Sequence, residues 1–253
     1  MTLNLIYNEL RLQVMEMKQY WFETVSGLLF VIAVFLGLFY GVKGFVVEQG
    51  DNQSLDGLLF GFLLWSFATS AYSSVTKSII EDTQRGYIEQ LFLCPQGIVR
   101  LLLSRSVAEL LTGIIMLIGM AYITMWLTGN WLDINFLYFF AILFLAAPSL
   151  IGLGLIISGF ALVFKKVETL GALLTIGLMG LVALDGLPLN VFTFLPFVAG
   201  ASLAREVVLE QLPANGLYVG IVALNSALYL AAGWQVFRLL ERMVKRRNLI
   251  GQY

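Results

Sequence analysis

Residues 55–95 read LDGLLFGFLLWSFATSAYSSVTKSIIEDTQRGYIEQLFLCP, an apolar stretch that gives way at Glu81 to a charged link. Between Leu55 and Ile80 only Asp56 and Lys77 carry charge. As a helix that stretch rises about 39 Å, more than the roughly 30 Å of hydrocarbon in a bilayer. It is read as a membrane-crossing helix, and the rest of the chain has the same character. Of 253 residues, 59% are hydrophobic and 12% charged, and the mean hydropathy is +0.87. A soluble domain carries about 25% charged residues. The composition therefore predicts an all-α membrane protein, a single transmembrane domain over residues 1–253.

Five other stretches are apolar and long enough to cross. The six predicted spans cover residues 24–47, 55–80, 104–127, 137–164, 169–185 and 216–237. The few charges orient them. With both termini cytoplasmic, the inner side holds Arg11, Lys18, Lys77, Arg85, Arg100, Arg105, Lys165, Lys166, Arg238, Arg242, Lys245, Arg246 and Arg247. The outer side holds only Lys43 and Arg205. Thirteen of the fifteen basic residues on one side is a strong positive-inside bias.

The segments between and around the spans differ in kind. Residues 1–23 lack the basic-then-apolar layout of a secretory signal. Leu3, Ile6, Leu10, Val14, Met17 and Trp21 recur at helical spacing, which predicts an amphipathic helix lying in the inner interface, with Tyr20 and Trp21 at headgroup level. Residues 186–215 carry Pro188, Pro196 and Pro213 yet stay apolar over Val191–Ala204. That run is too broken to cross twice as regular helix and predicts an outer re-entrant segment whose backbone groups are covered by protein. Residues 238–253 form a basic cytoplasmic tail.

The link over residues 81–95 places Asp82, Arg85 and Glu89 three and four residues apart, with Ile88, Leu91 and Phe92 as an apolar patch and Pro95 as the stop. Such a short amphipathic helix suits either docking into a groove on a soluble partner or a solvated loop with ordinary ion pairs. The second span has a message of its own: Ser66, Ser70, Ser73 and Lys77 recur at helical spacing, with Thr69, Ser74 and Thr76 beside them. Hydroxyls in such numbers serve either as packing glue or as the lining of a polar path. Phe67 and Trp65 would make that path amphiphilic. In the fifth span Thr175 is a further path candidate, and so is Asp185, although its neighbours Gly186 and Pro188 favour a cap at the outer interface. Glu109, one turn from Arg105, is read as an i,i+4 ion pair near the inner boundary, and Asn225 as a packing contact. Gly152, Gly154, Ser158 and Gly159 of the fourth span offer small-residue approaches, with a bend at Pro148.

Absences exclude several classes of function. With no histidine, His-ligated zinc and Ser-His catalysis fall away, and Cys94 alone makes no disulfide or thiolate cluster. The sequence holds no GxxxxGK[ST] phosphate loop.

Taken in order, these segments resemble the permease subunit of ABC exporters of the type-two permease family. Members typically carry a Glu, then Arg-Gly, then Glu-x-Leu and a Pro in the cytoplasmic link after the second span. The matching residues are Glu81, Arg85, Gly86, Glu89, Leu91 and Pro95. The N-terminal helix resembles the family's connecting helix. Residues 194–209, FLPFVAGASLAREVVL, resemble its outer Pro-containing segment, and residues 241–253, ERMVKRRNLIGQY, resemble its basic Gly-Tyr-ending tail.

The resemblance implies a half-transporter: two permease copies in a plasma or bacterial inner membrane, with two ABC ATP-binding subunits on separate chains. This chain would carry no cofactor, ATP and Mg would bind the partner, and no nucleic acid is involved. The link would be the coupling contact, carried by Glu81, Arg85, Gly86, Glu89 and Leu91, with Asp82 added from its charge geometry. The family lines its path with the second and fifth spans, which implies that Ser66, Thr69, Ser70, Ser73, Thr175 and Asp185 lie on it. The mixed hydroxyl and aromatic lining leans toward a small amphiphilic molecule or lipid as cargo. An ion-coupled secondary transporter is the alternative, but its only coupling candidates are Glu109 and Asp185, both near span ends. An intramembrane enzyme lacks its usual catalytic sets here.

Overall fold

The computed structural model describes residues 2–46, 53–84, 87, 91, 93–94, 97–164 and 167–246. Among them every regular element is helical. The order is α1 (Thr2–Gln19), α2 (Trp21–Val46), α3 (Gln53–Gln84), α4 (Ile98–Thr128), α5 (Phe136–Phe164), α6 (Glu168–Ala183), a 3-10 turn (Val191–Phe194), α7 (Val198–Ala204), a π-helical turn (Arg205–Leu209) and α8 (Gly216–Arg246).

Five helices, α2, α3, α4, α5 and α8, are long and apolar enough to cross a membrane. The predicted fifth span is α6, which has 16 residues and ends at Ala183, short of Asp185. It rises about 24 Å, less than a bilayer core. Leu184 is already extended, and Asp185 lies beyond the helix. Helix α3 outruns its predicted end and carries Glu81 and Asp82 on its last turn, while α8 absorbs the predicted sixth span and most of the tail in one helix.

α5 is the centre of the bundle. Of its most apolar window 61% is buried, against 17% for α2 and for α8. The largest interface is α5 with α8, and glycines make it possible. A Cβ on Gly233 would meet Gly152 Cα at 2.7 Å, and one on Gly152 would meet Leu230 N at 2.8 Å, so the two backbones touch. On its other side α5 approaches α3, where a Cβ on Gly154 would lie 2.8 Å from Tyr72 O. The Thr76 hydroxyl donates to Gly154 O at 3.4 Å across the same contact. The small residues of the fourth span pack helices together, as their spacing predicts.

The remaining seams are tied at their ends. Tyr40 Oη donates to Leu127 O at 2.8 Å, joining α2 to α4. The Asn130 amide donates to Asp56, joining the start of α3 to the end of α4. Gly129 closes α4 at φ 73°, a left-handed conformation that glycine adopts without steric cost. α1 packs chiefly on α4, and Tyr20, Trp21 and Phe22 at the α1–α2 junction are exposed. The N-terminal segment is thus helical as its spacing predicts, with these aromatics on the outside.

Candidate functional site

Charge converges at the end of the bundle where α3 stops and α4 starts. Arg105 Nη1 donates to Asp82 Oδ2 at 2.7 Å and to Ser78 Oγ at 2.8 Å. Its Nε lies 3.4 Å from Glu9 Oε2. One planar guanidinium thus joins α1, α3 and α4, using donors that point in different directions. The i,i+4 pairing of Arg105 with Glu109 gives way to this arrangement. Two carboxylates from other helices meet the guanidinium fork, and Glu109 faces a cavity instead.

Burial holds the Glu9 carboxyl above its usual range, outweighing the pull of Arg105, with Glu16 and Asp82 adding repulsion. Folded Glu9 therefore keeps its proton to higher pH than in the unfolded chain, where the value is 4.5. In the window between those values the folded state gains relative to the unfolded as pH falls. Corrected for intrinsic rate, amide protection of α1 should rise as pH is lowered from neutral toward 4.5, and Glu9→Gln should flatten that rise. Protection that falls over this window would contradict the assignment.

The ion cluster lies at one end of a cavity of about 760 Å³ lined by α1, α2, α3 and α4. Its charged lining comprises Glu9, Glu16, Glu23, Glu81, Asp82 and Glu109 against Lys77 and Arg105. Deeper in, the lining is Ser66, Ser70, Ser74, Thr112, Phe67, Met116 and Met120. From Asp82 to Ser66 the cavity follows α3 for about 24 Å. Ser66 Oγ approaches Met120 Sδ at 3.8 Å, and Ser70 faces Gly113.

The predicted path residues divide. Ser66 and Ser70 line this cavity. Ser73 bonds back to Ser70 O at 3.2 Å, and the Thr69 hydroxyl is buried without a partner among the described residues. Thr175 Oγ1 bonds back to Gly171 O at 3.0 Å on α6, and Trp65 Nε1 donates to Thr175 O at 3.2 Å, which ties α6 to α3. Of the predicted coupling residues, Glu81 and Asp82 lie on the last turn of α3 and line the cavity, and Leu91 is buried. Arg85, Gly86 and Glu89 lie outside the described residues, as does Pro95.

Asp185 sits at the opposite end of the bundle, ion-paired with Arg205, which also donates to Val182 O. That pair pins the segment after α6. Asn190 caps the 3-10 turn, accepting from Phe192 N at 2.8 Å, and all of α7 is buried. Asn225 Nδ2 donates to Thr193 O at 3.0 Å and Tyr229 Oη to Phe194 O at 3.0 Å, so α8 satisfies carbonyls that this irregular backbone leaves open. The Glu206 carboxyl is pushed up by burial first, then by Glu210 and Asp185.

Sequence reasoning missed the α1 side of the cavity. Glu9, Gln13, Glu16 and Tyr20 recur at intervals of four, three and four and all line it. The stripe is legible in the spacing, but the apolar face of α1 is the stronger periodic signal. Ser66, Ser70, Ser74 and Ser78 form a matching i,i+4 row on α3, all in the lining.

A family model described as ABC-2 type transporter matches residues 5–183, from α1 to the end of α6. No curated protein matches the chain.

Proposed function

Because the chain belongs to the ABC-2 type transporter family, we propose that it is the permease subunit of an ATP-driven exporter, working as a homodimer with two separate ATP-binding subunits. The observation that carries this reading is the Arg105 cluster. It fastens α1 and the end of α3 to α4 where the link begins, so a push on that surface reaches three helices together. A joint of this kind suits transmission of a partner's movement into the membrane.

The six-span, both-ends-inside topology belongs to the same reading, with α6 and the buried segment after it completing the outer half. The exposed apolar faces of α2, at Leu29, Phe30 and Leu38, and of α6, at Leu173, Ile176 and Met179, are available to lipid and to a second copy. The hydroxyl row on α3 supports a small amphiphilic cargo. Residues 81–95 are the proposed docking contact, with Arg85 and Glu89 at its charged face.

Co-purification tests it. A genomically adjacent ABC ATP-binding subunit should be retained by the detergent-solubilised permease, and Arg85→Glu should weaken that retention and suppress transport. Ser70→Trp should block transport while leaving the assembly intact. Loss of neither retention nor transport in Arg85→Glu, or gradient-driven transport that survives ATP depletion, would count decisively against an ATP-driven exporter.

A further inference from the structure

We infer that the cavity enclosed by α1, α2, α3 and α4 binds a small amphipathic organic cation, which on the exporter reading is the cargo at its point of uptake. Its volume of about 760 Å³ fits one drug-sized molecule. Its two ends differ in chemistry. The end at Asp82 and Arg105 is charged, whereas the end at Ser66 offers hydroxyls, the Phe67 ring and the thioethers of Met116 and Met120, soft surfaces that adapt to an apolar body.

The sign of the charge selects the ligand. Six carboxylates face two cations in the lining. Arg105 is already committed to Glu9 and Asp82. Among the described residues, Glu16 and Glu23 carry no ion pair, so their charge is available to a guest. A cavity with low-dielectric walls focuses that field, drawing in cations and repelling anions. A bare metal ion is the wrong guest, because no three acidic or thiol groups among the described residues converge to hold one. Spread-out carboxylates above an apolar floor suit a delocalised charge on a hydrophobic body.

The test uses the full chain in nanodiscs of zwitterionic lipid, without nucleotide or ATPase, and a matched pair of probes. Radiolabelled tetraphenylphosphonium and tetraphenylborate have nearly the same shape and opposite charge. The cation should bind saturably above protein-free discs, and the anion should not exceed the disc background. Ser70→Trp, which fills the cavity, should weaken cation binding about tenfold or more. Lys77→Gln should tighten it about fivefold, the effect of one unit charge roughly 8 Å away in a partly solvated site. That gain cannot come from misfolding, so it guards against a Trp variant that merely fails to fold.

Equal saturable binding of the anion, an unchanged Ser70→Trp protein, or a Lys77→Gln protein that binds no tighter would each overturn the proposal. The two readings fail separately. Cation binding that meets these criteria without any ATP-dependent export leaves the site standing and removes the exporter. ATP-dependent export with no cation binding does the reverse.

Discussion

Gly233→Ala should destabilise the protein more than any other single methyl added to α8. The new Cβ would collide with the backbone of Gly152, 2.7 Å from its Cα and 2.8 Å from its carbonyl carbon. Backbone cannot swing aside as a flexible side chain can, so α5 and α8 must separate along their whole contact. The expected loss is about 2 kcal/mol or more, the scale of overpacking in a tight core. The same substitution at Gly220, on the same helix, meets nothing within 4 Å. There it should be neutral or slightly stabilising, by up to about 1 kcal/mol from helix propensity. Thermal unfolding of the two variants in detergent, followed by size-exclusion fluorescence, makes the comparison. Equal midpoints for the two would show that the backbones are not in contact.

Arg105→Ala should detach α1 from the bundle. The Arg105 side chain is 26% exposed and those of its partners Glu9 and Asp82 are 15% and 17% exposed, so its loss leaves two mostly buried carboxylates near each other. Breaking a fully buried pair costs about 3–5 kcal/mol, and partial solvation here reduces that to about 1–2 kcal/mol. Proteolysis and amide exchange of residues 2–19 should accelerate accordingly, by about tenfold. Arg100, one turn and a half earlier on the same helix, is exposed, and Arg100→Ala should leave α1 protected. The variant Glu9→Gln with Asp82→Asn, combined with Arg105→Ala, should recover part of the protection by removing the orphaned charges. If Arg105→Ala leaves α1 protected, the cluster is an incidental surface contact. On the exporter reading the same variant should also transport poorly even where the ATPase remains bound.

These two contacts were not equally visible in advance. Gly152 belongs to a run of small residues on the most apolar span, and that run announced close helix packing. Its partner at Gly233 does not announce itself, because a lone glycine in a long apolar helix fits equally well where no neighbour comes close, as at Gly220. The sequence points Arg105 to a local pair with Glu109 instead of to its cluster. Helical spacing makes i,i+4 neighbours obvious and says nothing of carboxylates that arrive from residues 9 and 82. Asn225 was rightly placed as a packing group, but its task of satisfying Thr193 and Leu195 carbonyls became visible only beside the irregular segment it serves.

The hydroxyl row on α3 shows the same limit. Ser66 and Ser70 were picked out by spacing, and the structure places them in a cavity with Ser74 and Ser78. Thr175 and Asp185 share the apolar fifth segment, yet the first bonds back into α6 and the second closes an ion pair with Arg205 beyond its end.

The sequence by itself determined that the chain is a helical membrane protein, which family it resembles and, on the six-span reading, that its basic residues crowd onto one side. Those properties follow from terms that add along the chain: apolar transfer free energy over about twenty residues, helical periodicity, and the count of charges between spans. The tertiary structure alone decided which helices touch through bare backbone, that Arg105 serves α1 and α3 rather than its own helix, and that six carboxylates line one cavity. Such features depend on distances between residues far apart in sequence, and a buried charge or a missing Cβ takes its meaning only from the neighbour it meets.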